Sequence, residues 1–147
     1  MPQGFRNLDV WEKSMNFAQE AYDFINTLPT YEKFALADQM RRCVVSIPSN
    51  IAEGQGRNSN KDFIKFLYIA KGSLCEIQTQ FELCVKFSYC NTQRIQPLVA
   101  GACAIDKMLN GLIKALILQE KQQKTFLTVT RKNISKSADG KRLTTSN

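Results

Sequence analysis

Residues 41–57 read RRCVVSIPSNIAEGQGR, and their periodicity predicts one amphipathic helix. Polar side chains recur along this helix at spacings of four, four, three and four, which places them on one face. We call these residues the polar stripe: Arg42, Ser46, Asn50, Glu53 and Arg57. Pro48 predicts a kink or local break near residues 44–49, because proline removes a backbone donor. Gly54 and Gly56 predict where the helix ends.

The whole chain shows four helical patterns and no convincing strand pattern. Four helices joined by short loops predict an all-α, antiparallel up-down-up-down four-helix bundle over residues 1–124. Residues 125–147 turn to Thr, Ser, Lys and Arg with few large apolar side chains. They are therefore expected to form a flexible, disordered basic tail.

Apolar residues at alternating spacings of three and four predict the core side of each helix. The expected core rows of the first two helices are Leu8, Trp11, Met15, Ala18, Tyr22 and Ile25, then Leu36, Met40, Cys43, Ile47 and Ile51. Those of the third and fourth are Phe63, Leu67, Ala70, Leu74, Ile77, Phe81 and Cys84, then Ile95, Leu98, Ala102, Ile105, Leu109, Leu112 and Leu116. Thr30 is expected to cap the second helix, and Ser59 with Asp62 resembles a capping box for the third.

The residue types disfavour an enzyme or a metalloprotein. The chain has no histidine, which removes the commonest general base and metal ligand, and its five cysteines form no CxxC pair. No cofactor, metal or small-molecule substrate is expected. Reduced cysteines within helical patterns, at Cys43, Cys75, Cys84 and Cys103, fit a cytoplasmic protein. No apolar run is long enough to cross a membrane, and the N-terminus lacks the apolar region of a signal peptide.

The net charge of +7 is concentrated at the C-terminal end. Residues 1–120 hold 13 basic and 12 acidic side chains, whereas residues 121–147 hold seven basic side chains against Asp139 alone. Lys107, Lys114 and Lys121 recur every seven residues, and we call them the lysine row. A solvated helix face explains this row without a partner. Continued by Lys124, Arg131 and Lys132, the row is alternatively a candidate contact for nucleic acid.

Three blocks of sequence resemble the bacterial four-helix-bundle family known as the 23S rRNA intervening-sequence proteins. They are LDVWEK at 8–13, QMRRCVVSIPSNIAEGQGR at 39–57 and FLYIAKGSLCE at 66–76. The similarity covers about residues 5–119. It implies a small helical bundle that assembles into rings, with pentamers expected, and no established enzymatic activity. Some members are encoded within insertions in ribosomal RNA genes. The related accessory variability determinant proteins of retroelements form basic pentamers that bind nucleic acid and a reverse transcriptase.

Two sets of residues are candidates for structural or interface roles. The polar stripe is expected to form a satisfied network in which Glu53 pairs with Arg42 or Arg57, with a partner interface and a ligand site as alternatives. The second set either completes a wide core or contacts another subunit, and its members are Phe66, Ser73, Glu76, Gln80, Gly101 and Gly111. Glu76 is expected to face Arg41 or Arg42, within or between subunits.

Two functional hypotheses follow. The first is a non-enzymatic, homo-oligomeric scaffold or adaptor that contacts RNA or a nucleoprotein. The second is a protein–protein interaction module with no nucleic-acid role, in which the tail binds the partner.

Overall fold

The computed structural model describes residues 4–142, and all regular structure in that range is helical. The α-helices are α1 (Asp9–Ile25), α2 (Leu36–Gln55), α3 (Asn60–Lys86) and α4 (Thr92–Arg142), with short 3-10 helices at Gly4–Asn7 and Thr30–Glu32. This confirms the all-α prediction. The chain divides into two compact units between Ile113 and Lys114. We call the first the bundle unit and residues 114–142 of the second the C-terminal segment.

Neighbouring helices of the bundle unit run in opposite directions. From α2 to α3, the contacting residues are Met40 with Cys84, Ser46 with Ser73, and Gly54 with Phe63. Between α3 and α4, the contacting residues are Lys71 with Asp106 and Gln78 with Cys103. Between α1 and α4, the contacting residues are Phe17 with Gly101 and Phe24 with Arg94. Residue numbers rise on one helix as they fall on the other, as an antiparallel bundle requires.

The expected core row of α3 is fully confirmed. The rows of α2 and α4 are confirmed except at Leu36 on α2 and Leu112 on α4, which are half-buried. The expected row of α1 is confirmed at Ile25 and is otherwise wrong by about one residue. Its buried side chains are Val10, Ser14, Phe17, Ala21, Phe24 and Ile25, whereas Met15 is 45% exposed. Phe17 and Phe24 pack edge-on against Phe81, with ring centroids 6.4 and 5.7 Å apart. Burying these two aromatic rings outweighs burying Trp11 and Met15.

The start and middle of α2 differ from expectation. Thr30 does not cap it; instead the Leu36 N–H donates to the Glu32 carboxylate over 3.0 Å. Pro48 lies inside a continuous helix, so the predicted local break is absent from the described Leu36–Gln55. The predicted cap of α3 is confirmed, because Ser59 Oγ accepts the Asp62 N–H over 3.1 Å.

The C-terminal segment has helical backbone to Arg142, whereas its composition predicts a flexible tail from residue 125. Three threonine hydroxyls, on Thr125, Thr128 and Thr130, donate to the carbonyls four residues earlier. The Lys, Gln and Leu residues around these threonines have high helix propensity, which favours the helical conformation. The last five positions of the predicted tail lie outside the described residues, and the boundary at residue 124 stays a prediction.

Candidate interaction surfaces

The polar stripe divides into two exposed ion pairs with a hydrogen-bonded centre between them. Arg42 pairs with Asp38 at 3.1 Å, and Arg57 pairs with Glu53 at 2.7 Å, each one turn away on α2. Glu53 therefore pairs with Arg57 rather than with Arg42. Exposed pairs one helical turn apart contribute only about 0.3–0.5 kcal/mol, so the ends of the stripe add little stability.

The centre of the stripe joins α2 to α3. The Ser46 hydroxyl lies 2.6 Å from the Cys43 carbonyl oxygen and 2.7 Å from Ser73 Oγ. The Cys43 thiol donates to the Ser73 carbonyl over 3.0 Å, and the Asn50 amide donates to the Ser46 carbonyl over 2.7 Å. These contacts place the half-buried Ser46 and Asn50 in a hydrogen-bonded network of the kind that buried polar groups require.

Three of the six interface candidates pack or bond within the chain. Phe66 lies against Gly54, and the Arg57 guanidinium stands 4.7 Å from the Phe66 ring centroid. Ser73 bonds Ser46, and Gly101 lies beside the Phe17 ring, which a β-carbon on the glycine would approach to 3.2 Å. These positions therefore serve contacts inside the bundle unit.

The other three candidates differ in burial. Gln80 is buried; its amide donates to Glu76 over 3.4 Å, while its Oε1 has no hydrogen-bond partner among the described residues. Glu76 and Gly111 are exposed, and a β-carbon on Gly111 would meet open space. Arg42 and Glu76 line a common recess, whereas Arg41 bonds Asn26 at 3.4 Å.

The recess between α2 and α3 offers polar groups but no activated nucleophile. Burial, followed by the Glu76 carboxylate, raises the pKa of the Cys43 thiol to about 12. Burial likewise raises the pKa of Cys84 to about 12. Both thiols are therefore protonated at neutral pH and react poorly. Within residues 4–142, no cluster of three or more His, Cys, Asp or Glu side chains is arranged to hold a metal ion.

A second heptad row on α3 faces solvent. Its members are separated by alternating three and four residues, and we call them the α3 strip: Ile69, Gly72, Glu76, Thr79 and Leu83. All five are exposed. A β-carbon on Gly72 would meet nothing within 4 Å, so another helix has room to approach the backbone there. Heptad spacing of this kind is the pattern that helices use to pack against each other.

A further apolar surface lies between α1 and α2. This α1–α2 groove encloses about 400 Å³ and is lined by Trp11, Met15, Ala18, Val45, Pro48, Ser49 and Ala52. Met15 and Val45 are both exposed in it. No described residue of the bundle unit fills the groove, and exposed apolar surface of this kind is typical of an interaction site.

The lysine row is exposed, as are Lys124, Arg131 and Lys132. Within the described chain, no ion pair engages any of these six side chains. On a helix of about 100° per residue, Lys132 continues the side that carries Lys114 and Lys121, whereas Arg131 lies about 100° away from that side. The candidate nucleic-acid contact is therefore one row with two flanking cations.

The C-terminal segment also exposes apolar side chains. Phe126, Leu127 and Ile134 are 70%, 55% and 65% exposed. Leu127 follows Phe126 directly, and Ile134 lies seven residues after Leu127, so the three side chains share one broad side of the helix. We call these three residues the apolar face. Lys114 and Lys132 lie about 140° around the helix from Leu127. The apolar face and these two lysines therefore lie on different sides of the segment.

Lys71 and Tyr89 make long-range contacts in the bundle unit that the sequence does not predict. The Lys71 ammonium on α3 binds Asp106 at 2.7 Å and Asn110 at 2.5 Å on α4. The Tyr89 hydroxyl donates to Glu32 over 2.7 Å, and this bond is the main reason that the pKa of Tyr89 is raised. Both pairs are more than 30 residues apart in sequence and follow no local motif, so only the register of the helices reveals them.

These features define a small all-α bundle protein with exposed apolar and basic surfaces. Residues 6–111 match the model of the 23S rRNA-intervening sequence protein family, and the chain belongs to that family. This confirms the resemblance found in the sequence.

A solved structure from Bacteroides thetaiotaomicron VPI-5482, described as a protein with unknown function from the S23 ribosomal protein family, is similar to the chain. The two share 29% sequence identity with a TM-score of 0.66, over 71% of this chain and 98% of that one. No curated protein matches. In the part of the chain that the structure describes, no helix is both long and apolar enough to span a membrane.

Proposed function

We propose that this protein is a non-enzymatic, homo-oligomeric helical-bundle scaffold or adaptor of the cytoplasm that contacts RNA or a nucleoprotein. The observation that carries the proposal is the α3 strip. A monomeric bundle needs one heptad seam on α3, and the core row from Phe63 to Cys84 supplies it. The exposed second row, with Ile69 and Leu83 at its ends and Gly72 between them, is the surface on which a further helix packs.

The charge in the strip favours an unlike surface as its partner. Glu76 stands at the centre of the strip, seven residues from both Ile69 and Leu83. Pairing of the strip with itself brings two Glu76 carboxylates together, which costs free energy. Contacts between unlike surfaces of identical subunits close into rings when the rotation allows. A ring, with a pentamer as the expected size, is the assembly we propose.

The RNA contact rests on the lysine row. Its three ammonium groups are exposed and lie about 10 Å apart along the helix axis. The family's description names an intervening sequence of 23S rRNA, and a phosphate backbone is the partner that such a row attracts. In a ring, each subunit contributes the same row, so the number of contacts grows with the size of the assembly.

Light scattering of the full-length protein tests the oligomer. The wild type is expected to show one discrete mass above that of a monomer, and Ile69→Glu with Leu83→Glu is expected to lower that mass. Tyr68→Glu is the control, because Tyr68 is an exposed apolar side chain of α3, more exposed than Ile69 or Leu83, but lies outside the strip. A wild type that stays monomeric at all concentrations contradicts the proposal.

Fluorescence anisotropy with a structured RNA tests the nucleic-acid contact. Replacing Lys107, Lys114 and Lys121 with Gln is expected to weaken RNA binding. The fall of log K with log salt is expected to become less steep, its slope shrinking in magnitude by about 2–3. Replacing the exposed Lys13, Lys61 and Lys86 with Gln removes the same charge elsewhere and is the control.

A protein–protein interaction module is the second candidate function, and the α1–α2 groove favours it. An apolar groove suits a protein side chain rather than a phosphate backbone. Absence of RNA binding at low salt, together with an intact oligomer, would support this function over the first.

A further inference from the structure

Tyr68 is an exposed aromatic side chain on the outer surface of α3. It is 54% exposed, and within residues 4–142 it makes no ring–ring, cation–π or hydrogen-bond contact. An open recess of about 640 Å³ lies on this part of α3, and Lys65 and Tyr68 are among the residues that line it. Much of the ring is therefore open to a planar partner.

Tyr68 lies at the same level of the α3–α4 pair as Lys107, the first member of the lysine row. Lys71 follows Tyr68 by three residues and bonds Asp106 and Asn110 on α4. Lys107 stands between these two partners in the sequence and is exposed. Tyr68 and Lys107 are thus each within about one helical turn of the same contact between the helices. A ligand on the Tyr68 ring is therefore within reach of the Lys107 ammonium group.

The free charges around Tyr68 are positive. Within four residues of Tyr68 on α3, the charged side chains are Lys65 and Lys71. Within four residues of Lys107 on α4, the only carboxylate is that of Asp106, which Lys71 binds. Lys65 and Lys107 are both exposed, and no ion pair in the described part of the chain engages either of them. An anion that approaches the Tyr68 ring therefore meets two ammonium groups and no free carboxylate nearby.

The carboxylates of α1 lie away from this surface. Four of them, against Lys13 alone, are exposed along α1: Asp9, Glu12, Glu20 and Asp23. The nearly balanced charge of residues 1–120 is therefore unevenly distributed, with an acidic helix α1 and a basic surface around Tyr68. An uneven distribution of this kind steers a polyanion toward the basic surface.

An exposed aromatic ring among free cations is the combination that binds single-stranded nucleic acid. Unpaired bases stack on the ring while the phosphates contact the cations. A duplex keeps its bases paired and stacked inside, so it offers phosphates but no free base face. We propose that Tyr68 stacks on an unpaired base of RNA and that Lys65 and Lys107 contact the adjoining phosphates. The proposal rests on the RNA contact proposed above and adds the class of RNA that is bound, an unpaired segment.

Fluorescence anisotropy of the full-length protein tests the stacking with two probes, an unstructured RNA of about 12 nucleotides and a duplex of the same length. Tyr68→Ala is expected to weaken binding of the unstructured RNA about tenfold and to leave duplex binding within about twofold. Tyr68→Phe is expected to keep the wild-type affinity, because the ring and not the hydroxyl stacks. Tyr31→Ala is the control, since Tyr31 is 76% exposed but packs against Tyr89 and adjoins Glu32.

The phosphate contact has its own measurement. Lys65→Gln is expected to make the fall of log K with log salt less steep for the unstructured RNA, its slope shrinking in magnitude by about 0.7. Lys13→Gln removes the same charge among the carboxylates of α1 and is expected to leave the slope unchanged.

Wild-type affinity of Tyr68→Ala for the unstructured RNA, or equal losses for both RNAs, overturns the stacking. If the variant that lacks Lys107, Lys114 and Lys121 still binds RNA more weakly in that case, the RNA contact of the lysine row stands without Tyr68. Absence of binding by the wild type to either RNA at low salt overturns both proposals. Loss of mass by Tyr68→Ala in light scattering indicates a protein contact at Tyr68 and also overturns the inference.

Discussion

Gly54 on α2 lies against Phe66 on α3 so closely that a β-carbon on the glycine would stand 2.6 Å from the Phe66 β-carbon. The Phe63 carbonyl oxygen would stand 3.2 Å away from the same atom. Neither neighbour is the flexible end of a side chain, so the two helices would have to separate to admit a methyl group. The contact fixes the spacing of α2 and α3 where they meet the turn that joins them.

Gly54→Ala is therefore expected to destabilise the protein by about 1–3 kcal/mol, measured by chemical denaturation. Gly111→Ala is the control, because its β-carbon meets open space on α4. That substitution is expected to stabilise the helix by about 0.5–1 kcal/mol. Equal effects at the two glycines would show that the close approach does not limit stability.

Ser46 and Ser73 are expected to be energetically coupled. Each single substitution to alanine removes one hydroxyl of the 2.7 Å pair and is expected to cost about 1 kcal/mol. The double variant is expected to cost less than the sum, because both partners are then absent. Denaturation of the four proteins in the cycle measures the coupling free energy, and additive losses would argue against a hydrogen bond between the hydroxyls.

The Lys71–Asp106 pair is expected to matter more than the Arg42–Asp38 pair. The Lys71 and Asp106 side chains are only 22% and 35% exposed, whereas Arg42 is 81% exposed. Lys71→Met is expected to cost about 1 kcal/mol, since it leaves Asp106 and Asn110 without their shared donor. Arg42→Met is expected to change stability by less than about 0.5 kcal/mol. Urea denaturation at two salt concentrations measures the change in the free energy of unfolding for each variant.

Stability is expected to fall at alkaline pH because of two buried thiols. The pKa values of Cys43 and Cys84 are raised to about 12 from an ordinary value of 9.0, so only the unfolded chain loses these protons between those values. The contribution is fully present below pH 9 and is lost as the pH rises toward 12. Melting temperatures across this range measure the fall. The double variant that carries Cys43→Ala and Cys84→Ala is expected to show a smaller fall in melting temperature over the same pH range.

The sequence predicts α3 well and α1 poorly, for a physical reason. The seven core positions of α3 form one heptad row, and only one side of the helix can bury them. In α1, two adjacent apolar rows compete, one with Trp11 and Met15 and the other with Phe17 and Phe24. The Phe81 ring on α3 decides between them, and nothing within α1 reveals its position.

Within the interaction surfaces, too, the features of a single helix are predictable from sequence and the contacts between helices are not. The lysine row follows from its own spacing, so the sequence alone shows that its members share one side of a helix. The hydroxyl contact between Ser46 and Ser73 depends on the register of two helices and could not be predicted from either one. The sequence shows that the residues of the polar stripe recur on one helix face. It does not show that they divide into two local ion pairs and a centre that bonds α3.

The end of the family match at residue 111 nearly coincides with the boundary between the two compact units at Ile113. Beyond that boundary, Leu116 is the single buried large side chain among the described residues up to Lys141. Most substitutions at exposed positions change folding stability by less than about 0.5 kcal/mol. Substitutions at nearly every position of the C-terminal segment are therefore expected to leave the folding stability of the protein almost unchanged.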